Sequence, residues 1–311
     1  MAGPPPEPIG LPLISLTLQD MLAEASARLE AAELAYGHGT TNAHDEAAWL
    51  LLWQLGLPLD SDLDALAAQT ITAEQHRAVQ ALIQRRIDSR QPAAYLTRQA
   101  WLQGVPFYVD ERAIVPRSFI AELLADGSID PWLNADTQQV LDLCTGNGSL
   151  AVLAAMAWPD VAVTGADISP DALAVAQINV AQHGLQERIA LLESDGLSAC
   201  PGPWDLVLCN PPYVNTQSMQ ALPAEYRAEP ALALDGGADG MDFVRQLLRD
   251  LPTRLHPQGV LVLEIGHERA HFEAAFPHLP VVWLSTSAGD DQVLLLTAEA
   301  LRTAAMPGGR A

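Results

Sequence analysis

Apolar residues recur at helical spacing early in the chain and gather into short unbroken runs over its second half. Leu18, Met21, Leu22, Ala25 and Leu29 fall on one face of a helix, as do Ala47, Leu50, Leu51 and Leu55. Gly56-Leu57-Pro58 and Thr70-Ile71-Thr72 break the pattern, and Thr72 followed by Glu74-Gln75 is suited to cap the next helix. These spacings predict a small helical domain over 16–91. From Pro92 the pattern changes. Trp101, Phe107, Tyr108 and Val109, with Gly104 and Pro106 between them, predict a β-hairpin in a linker over 92–118.

Beyond Gln138, strands and helices alternate. Strands are expected at 140–143, 161–167, 189–192, 205–209, 260–265, 281–284 and 293–296. Helices are expected at 150–156, from the Ser169-Pro170-Asp171 start to Gly184, and around 243–251. Alternation of this kind gives an α/β fold with a doubly wound, mostly parallel sheet, here over 119–300. Residues 1–15 and 301–311 read as disordered tails. Ligands bind such sheets beyond the carboxyl ends of the strands. Asp142, Asp167, Asp195 and Asn210 are all expected at strand ends, converging on one rim.

The bulk numbers narrow the function. With 311 residues, 49% hydrophobic and 17% charged, the chain can bury a sizeable core. The formal net charge is -22 and every one of the 16 basic residues is Arg. Arg85, Arg86, Arg90 and Arg98 form the one local basic cluster, so stable binding along a DNA backbone is disfavoured and a basic protein partner is favoured. Cys144, Cys200 and Cys209 lack metal-ligand spacing; they suit a reducing, cytoplasmic setting, and no metal is expected. His38, His44 and His76 read as solvated or core histidines. No run approaches the ~18 apolar residues of a membrane span. The proline-rich first ten residues do not read as a secretory signal.

Candidate chemistry gathers at the strand ends. Gly146 and Gly148, in Asp142-Leu143-Cys144-Thr145-Gly146-Asn147-Gly148, allow a tight turn and close approach of backbone to a ligand. Ala151 replaces the third glycine of the dinucleotide-binding pattern. Asp167, with Ile168 beside it, lies ~20 residues beyond the turn, where an acid accepts ribose hydroxyls, or merely caps a helix. Asp195-Gly196 ends the third strand and is read either as an adenine-amino site or as a plain turn. Asn210-Pro211-Pro212-Tyr213 directly follows the apolar run at 206–209. It presents one side-chain amide oxygen and one proline carbonyl on a stiff frame, a device for holding an –NH2 group, with Tyr213 packed on the planar acceptor. Catalysis there rests on orientation and fixed dipoles, with no titrating base in the first step.

Glycine turn, ribose acid, third-strand acid and fourth-strand Asn-Pro-Pro-Tyr, in that order, resemble the class I S-adenosylmethionine-dependent methyltransferases. Asn-Pro-Pro-Tyr serves both adenine-amino and glutamine-amide enzymes, and the rest of the chain discriminates. Val115-Pro116-Arg117-Ser118, Ser169-Pro170-Asp171-Ala172-Leu173 with Asn179, Glu229-Pro230-Ala231-Leu232-Ala233-Leu234, Gly237-Ala238-Asp239-Gly240 and Leu263-Glu264-Ile265-Gly266 resemble the protein N5-glutamine methyltransferases over roughly residues 20–297. The segments 95–101 and 104–112, and Pro-Arg-Ser at 116–118, look like the branch acting on the third protein of the large ribosomal subunit. Leu102, Phe119 and Asn147 depart from the usual pattern. The resemblance implies S-adenosylmethionine bound by Asp142, Cys144, Thr145, Gly146, Asn147, Gly148, Asp167, Ile168, Asp195, Gly196 and Asn210. It implies methyl transfer at Asn210, Pro211, Pro212 and Tyr213 to a glutamine of that ribosomal protein. Methylation of the Gly-Gly-Gln glutamine of peptide release factors is the alternative. The helical domain is then either a packing unit or a substrate-recognition module. Arg117 meets cofactor or substrate, or forms a salt bridge; Glu229 lies near the acceptor or is structural.

Overall fold

The computed structural model describes residues 16–305. Two compact units emerge among the described residues: 16–36 with 40–90, and 37–39 with 91–305. The first unit is helical, with helices Leu18–Ala31, Ala43–Leu55, Leu63–Leu66 and Ala73–Ser89. Thr17 and Thr72 each close a capping box, with Asp20 and Gln75 respectively, which satisfies backbone donors at both helix starts. The apolar stripes of the sequence enter its core: Leu18, Met21, Leu29, Leu50 and Leu51 are buried, joined by Ile83 of the fourth helix. Arg86 is buried among them, its Nε donating to Glu46 Oε1 at 2.8 Å.

The second unit opens with helix Ala93–Thr97, which the apolar pattern did not announce; its five residues are all buried. Strands β1 (Ala100–Leu102) and β2 (Val105–Phe107) form an antiparallel hairpin. Gln103 and Gly104 join them with φ of 50° and 74°. Positive φ at both positions matches the turn to the twist of the strands. This hairpin, read from the sequence as part of a linker, belongs to the second unit.

Seven further strands make one sheet: β3 (Gln139–Leu143), β4 (Ala162–Asp167), β5 (Ile189–Glu193), β6 (Trp204–Cys209), β7 (Leu255–Glu264), β8 (Val282–Thr286) and β9 (Gly289–Thr297). Their order is β5-β4-β3-β6-β7-β9-β8, parallel except that β9 runs against both β7 and β8. Strands buried on both faces need continuous apolar runs, and alternate residues here feed two cores. Val140, Leu206, Leu208 and Val262 pack on one side, with helices Ile120–Ala125 and Ser149–Ala157. Leu141, Leu143, Val207 and Leu263 pack on the other, with helix Asp242–Asp250. The chain winds outward from β3 in one direction and from β6 in the other. The crevice between their carboxyl ends is therefore the place where a ligand fits such a sheet.

The last helix, Ala298–Ala305, buries Leu301, so a tail beginning at 301 is corrected: ordered helix continues through 305. The expected tails at 1–15 and 306–311 lie outside the described residues. Among the described residues no helix is long and apolar enough to cross a membrane.

Candidate active site

The glycine turn grows directly out of β3. Cys144, the first residue beyond the strand, adopts φ of 61°, a left-handed conformation uncommon for a residue with a side chain. Gly146 follows at φ 54°, and a Cβ there would meet no atom within 4 Å. It borders a cavity of about 340 Å³. Gly148, at φ 80°, sits so close to the helix Pro170–Gln182 that a Cβ would come within 3.0 Å of Ala176. Asn179, on that helix and fully buried, gives Nδ2 to the Asn147 carbonyl at 2.8 Å and to the Tyr108 carbonyl at 3.0 Å. Its Oδ1 accepts the Tyr108 N–H at 2.7 Å, so one amide fastens the glycine turn to the segment after the hairpin.

Cys144, Gly146, Asp167 and Ile168 line this cavity, as do Asp195, Gly196, Asn210 and Pro212. Asp167 ends β4. Its Oδ2 accepts the Gly146 N–H and its Oδ1 the Ser169 N–H, both at 2.9 Å, which aims the carboxylate while leaving a lone pair on each oxygen. Burial pushes its carboxyl upward against these bonds. Asp195 lies two residues beyond the end of β5.

Four residues expected at this wall do not line it. Asp142 is fully buried within β3, and its Oδ2 accepts from the Thr145 hydroxyl and from the Ala151 N–H. It shapes the turn and the start of the next helix from behind. Burial pushes its carboxyl up to about 7. Thr145, Asn147 and Gly148 belong to the same scaffold. Conversely, Arg112, Ala113 and Ile114 line the cavity, as do Pro230, Leu232 and Ala233. The motifs 104–112 and 229–234 cover Arg112, Pro230, Leu232 and Ala233 but not Ala113 or Ile114, and nothing in their residue types pointed to a cavity.

A second cavity, about 310 Å³, adjoins the first. Pro211, Tyr213, Arg117, Phe119 and Tyr226 line it, and Ile114, Asn210 and Ala233 line both. Tyr213 is held by glycines. A Cβ on Gly266 would lie 2.5 Å from its ring, and Cβ atoms on Gly236 and Gly240 would come within 2.7 and 2.2 Å of its backbone. Its hydroxyl faces Glu264 at 3.4 Å. Glu264 ends β7, and its Oε2 accepts from the Ser118 hydroxyl at 2.6 Å and the Phe119 N–H at 2.9 Å. Arg117 is committed elsewhere: it forks onto Glu229 at 2.6 and 2.7 Å. Glu229 Oε1 also accepts the Val115 N–H at 2.9 Å, and His38 Nε2 lies 3.3 Å from Oε2. Burial opposes ionisation of Glu229, but Arg117 and His38 outweigh it and hold the carboxyl at about 2.

Burial pushes Glu264 the other way, from its ordinary 4.5 up to about 7, against its hydrogen bonds. The folded state therefore holds a proton there that the unfolded chain has released. The associated stability is full below about 4.5 and is lost as pH rises through about 7. Glu264→Gln keeps an oxygen for the Ser118 and Phe119 donors. We expect it to flatten part of the fall in melting temperature over this window, while Asp142 and Asp167, also raised by burial, keep contributing. A fall identical to wild type would assign the proton to another group.

Strand order, a glycine turn after the first central strand and an Asn-Pro-Pro-Tyr after its neighbour define a class I methyltransferase. A Methyltransferase small domain model matches residues 128–231. The chain is 54% identical to the ribosomal protein uL3 glutamine methyltransferase of Bordetella pertussis, over 92% of this chain and 97% of that one. It is 51% identical to that of Neisseria meningitidis serogroup B, over 92% and 94%. The Bradyrhizobium diazoefficiens protein is 46% identical, over 91% of each chain. Among solved structures, the hMettl16 catalytic domain in complex with a MAT2A 3'UTR hairpin matches 73% of this chain and 81% of its own at 13% identity, with a TM-score of 0.49. The chain belongs to the family of ribosomal protein uL3 glutamine methyltransferases.

Proposed function

We infer that the chain transfers a methyl group from S-adenosylmethionine to the side-chain amide nitrogen of a glutamine in ribosomal protein uL3. The observation that carries this reading is Asn210, in the wall of both cavities, one built around a glycine turn and a strand-end acid. The first cavity fits the cofactor: open space where Gly146 lacks a side chain, and a fixed carboxylate on Asp167 to accept ribose hydroxyls. Ile168, 46% exposed in that wall, offers an apolar surface for the adenine, and Asp195-Gly196 a polar edge. The cofactor supplies an electrophilic methyl group on a sulfonium.

An amide nitrogen is a poor nucleophile because its lone pair is delocalised. Asn210 Oδ1 and the Pro211 carbonyl accept its two N–H bonds, which orients the lone pair and favours build-up of electron density on nitrogen. Pro211 and Pro212 stiffen the frame, so little freedom is lost on binding. Tyr213, seated between glycines, packs against the planar amide and helps keep water out. A formal net charge of -22 suits a very basic ribosomal protein and disfavours DNA. The three free thiols support a reducing, cytoplasmic setting.

The test is labelled methyl transfer from S-adenosylmethionine to unmodified uL3, unmodified release factors and duplex DNA, side by side. We expect label on a single glutamine of uL3. Label on a release factor would keep the chemistry and overturn the substrate; label on DNA would overturn both.

A further inference from the structure

Among the residues lining the first cavity are four carboxylates, Asp167, Asp195, Asp235 and Asp242, and one cationic side chain, Arg112. The acids suit the positive groups of a sulfonium amino acid. The arginine needs its own explanation, and Asp110 supplies half of it. This carboxylate, 4% exposed, accepts the Arg112 Nε at 2.9 Å and Nη2 at 2.7 Å, and the Arg112 backbone N–H at 3.1 Å. The Tyr108 hydroxyl donates to it at 2.8 Å, and Arg98 Nη1 lies 3.2 Å away. The fork fixes the plane of the Arg112 guanidinium. It leaves Nη1, which carries two N–H donors, outside the fork. Asp110 also balances the charge, so the wall does not hold an uncompensated cation.

The cofactor of the proposed reaction is a sulfonium with an α-ammonium and one anionic group, its α-carboxylate. Arg117, the arginine in the wall of the second cavity, is already forked onto Glu229. We propose that Arg112 is the counter-ion of the cofactor's α-carboxylate, donating through Nη1, and that Asp110 is the positioning residue that holds it in the cavity wall. The arrangement makes the site selective for an intact amino-acid end: a cofactor lacking the carboxylate leaves the Nη1 donors without their acceptor.

This rests on the cofactor reading above, and the experiment separates the two. Calorimetry on the full chain compares S-adenosylmethionine with decarboxylated S-adenosylmethionine. A charge-assisted hydrogen bond lost without replacement corresponds to roughly 10- to 100-fold in affinity, so the wild-type chain is expected to prefer the intact cofactor by that factor. Arg112→Met is expected to bring S-adenosylmethionine down to the affinity of the decarboxylated compound and leave the latter within about 3-fold of wild type. Arg112→Lys keeps the charge but not the two-point grip of Asp110, and is expected to fall between. If Arg112→Met and Arg112→Lys weaken both ligands by equal factors, or neither, Arg112 is a wall residue and the proposal is wrong. A wild-type chain that binds neither ligand sinks the cofactor reading, and this proposal with it.

Discussion

Replacing Asn210 by Ala is expected to slow methyl transfer by roughly 10²- to 10³-fold while S-adenosylmethionine affinity stays within a few-fold of wild type. Asn210 follows β6, beside β3, where the two halves of the sheet diverge. Two prolines behind it leave the backbone few alternatives, so the substitution removes one acceptor without collapsing the loop. The Pro211 carbonyl would then hold the amide by one N–H, and the nitrogen would turn freely instead of facing the methyl group. Labelled transfer to uL3 reads the first quantity and calorimetry the second. Transfer at the wild-type rate would mean the acceptor amide is held elsewhere. Loss of cofactor binding by the same factor would make Asn210 part of the cofactor's own site.

Arg117→Ala is expected to destabilise the fold by about 3–5 kcal/mol. Its partner Glu229 has a side chain with 0% exposure and would keep only the Val115 N–H and His38 as partners. An unpaired buried carboxylate is the costly outcome, whereas removing both charges is far milder. Arg117→Met with Glu229→Gln together should therefore recover much of the loss in urea denaturation. The wild-type pair leaves a pH signature of the opposite sign to Glu264. With Glu229 depressed from 4.5 to about 2, its contribution is present above about 4.5 and is lost as pH falls through about 2. In Arg117→Ala that acid-side loss should be smaller and complete at higher pH, because the main group holding the carboxyl ionised is gone. Equal stability of wild type and Arg117→Ala would reduce the fork to a surface contact.

Elements with strong periodicity were readable from the residues. The run before Asn210 is apolar because β6 is covered on both faces, and Ser169-Pro170 starts a helix because a hydroxyl cap and a fixed φ suit its first turn. The helix Ala93–Thr97 was not readable: it is one turn long, too short to show a period. Asp142 was assigned to the rim because an acid near a strand end looks the same in sequence whether it faces a ligand or the back of its own turn. Its neighbours Thr145 and Ala151, three and nine residues away, decide the matter in space. The role of Ile114 and Ala233 as cavity walls was not legible for another reason. They become walls only when segments about 120 residues apart meet, an arrangement helped by Arg117 and Glu229, whose separation of 112 residues no local spacing encodes.

Ile114, Asn210 and Ala233 border both cavities, so whatever occupies one completes the wall of the other. With cofactor and acceptor amide in these two cavities, as proposed, any coupling between their occupancies is reciprocal. The factor by which bound cofactor alters the grip on the acceptor amide equals the factor by which the amide alters the grip on the cofactor. On that reading, transfer of the methyl alters what meets the shared boundary from both sides at once.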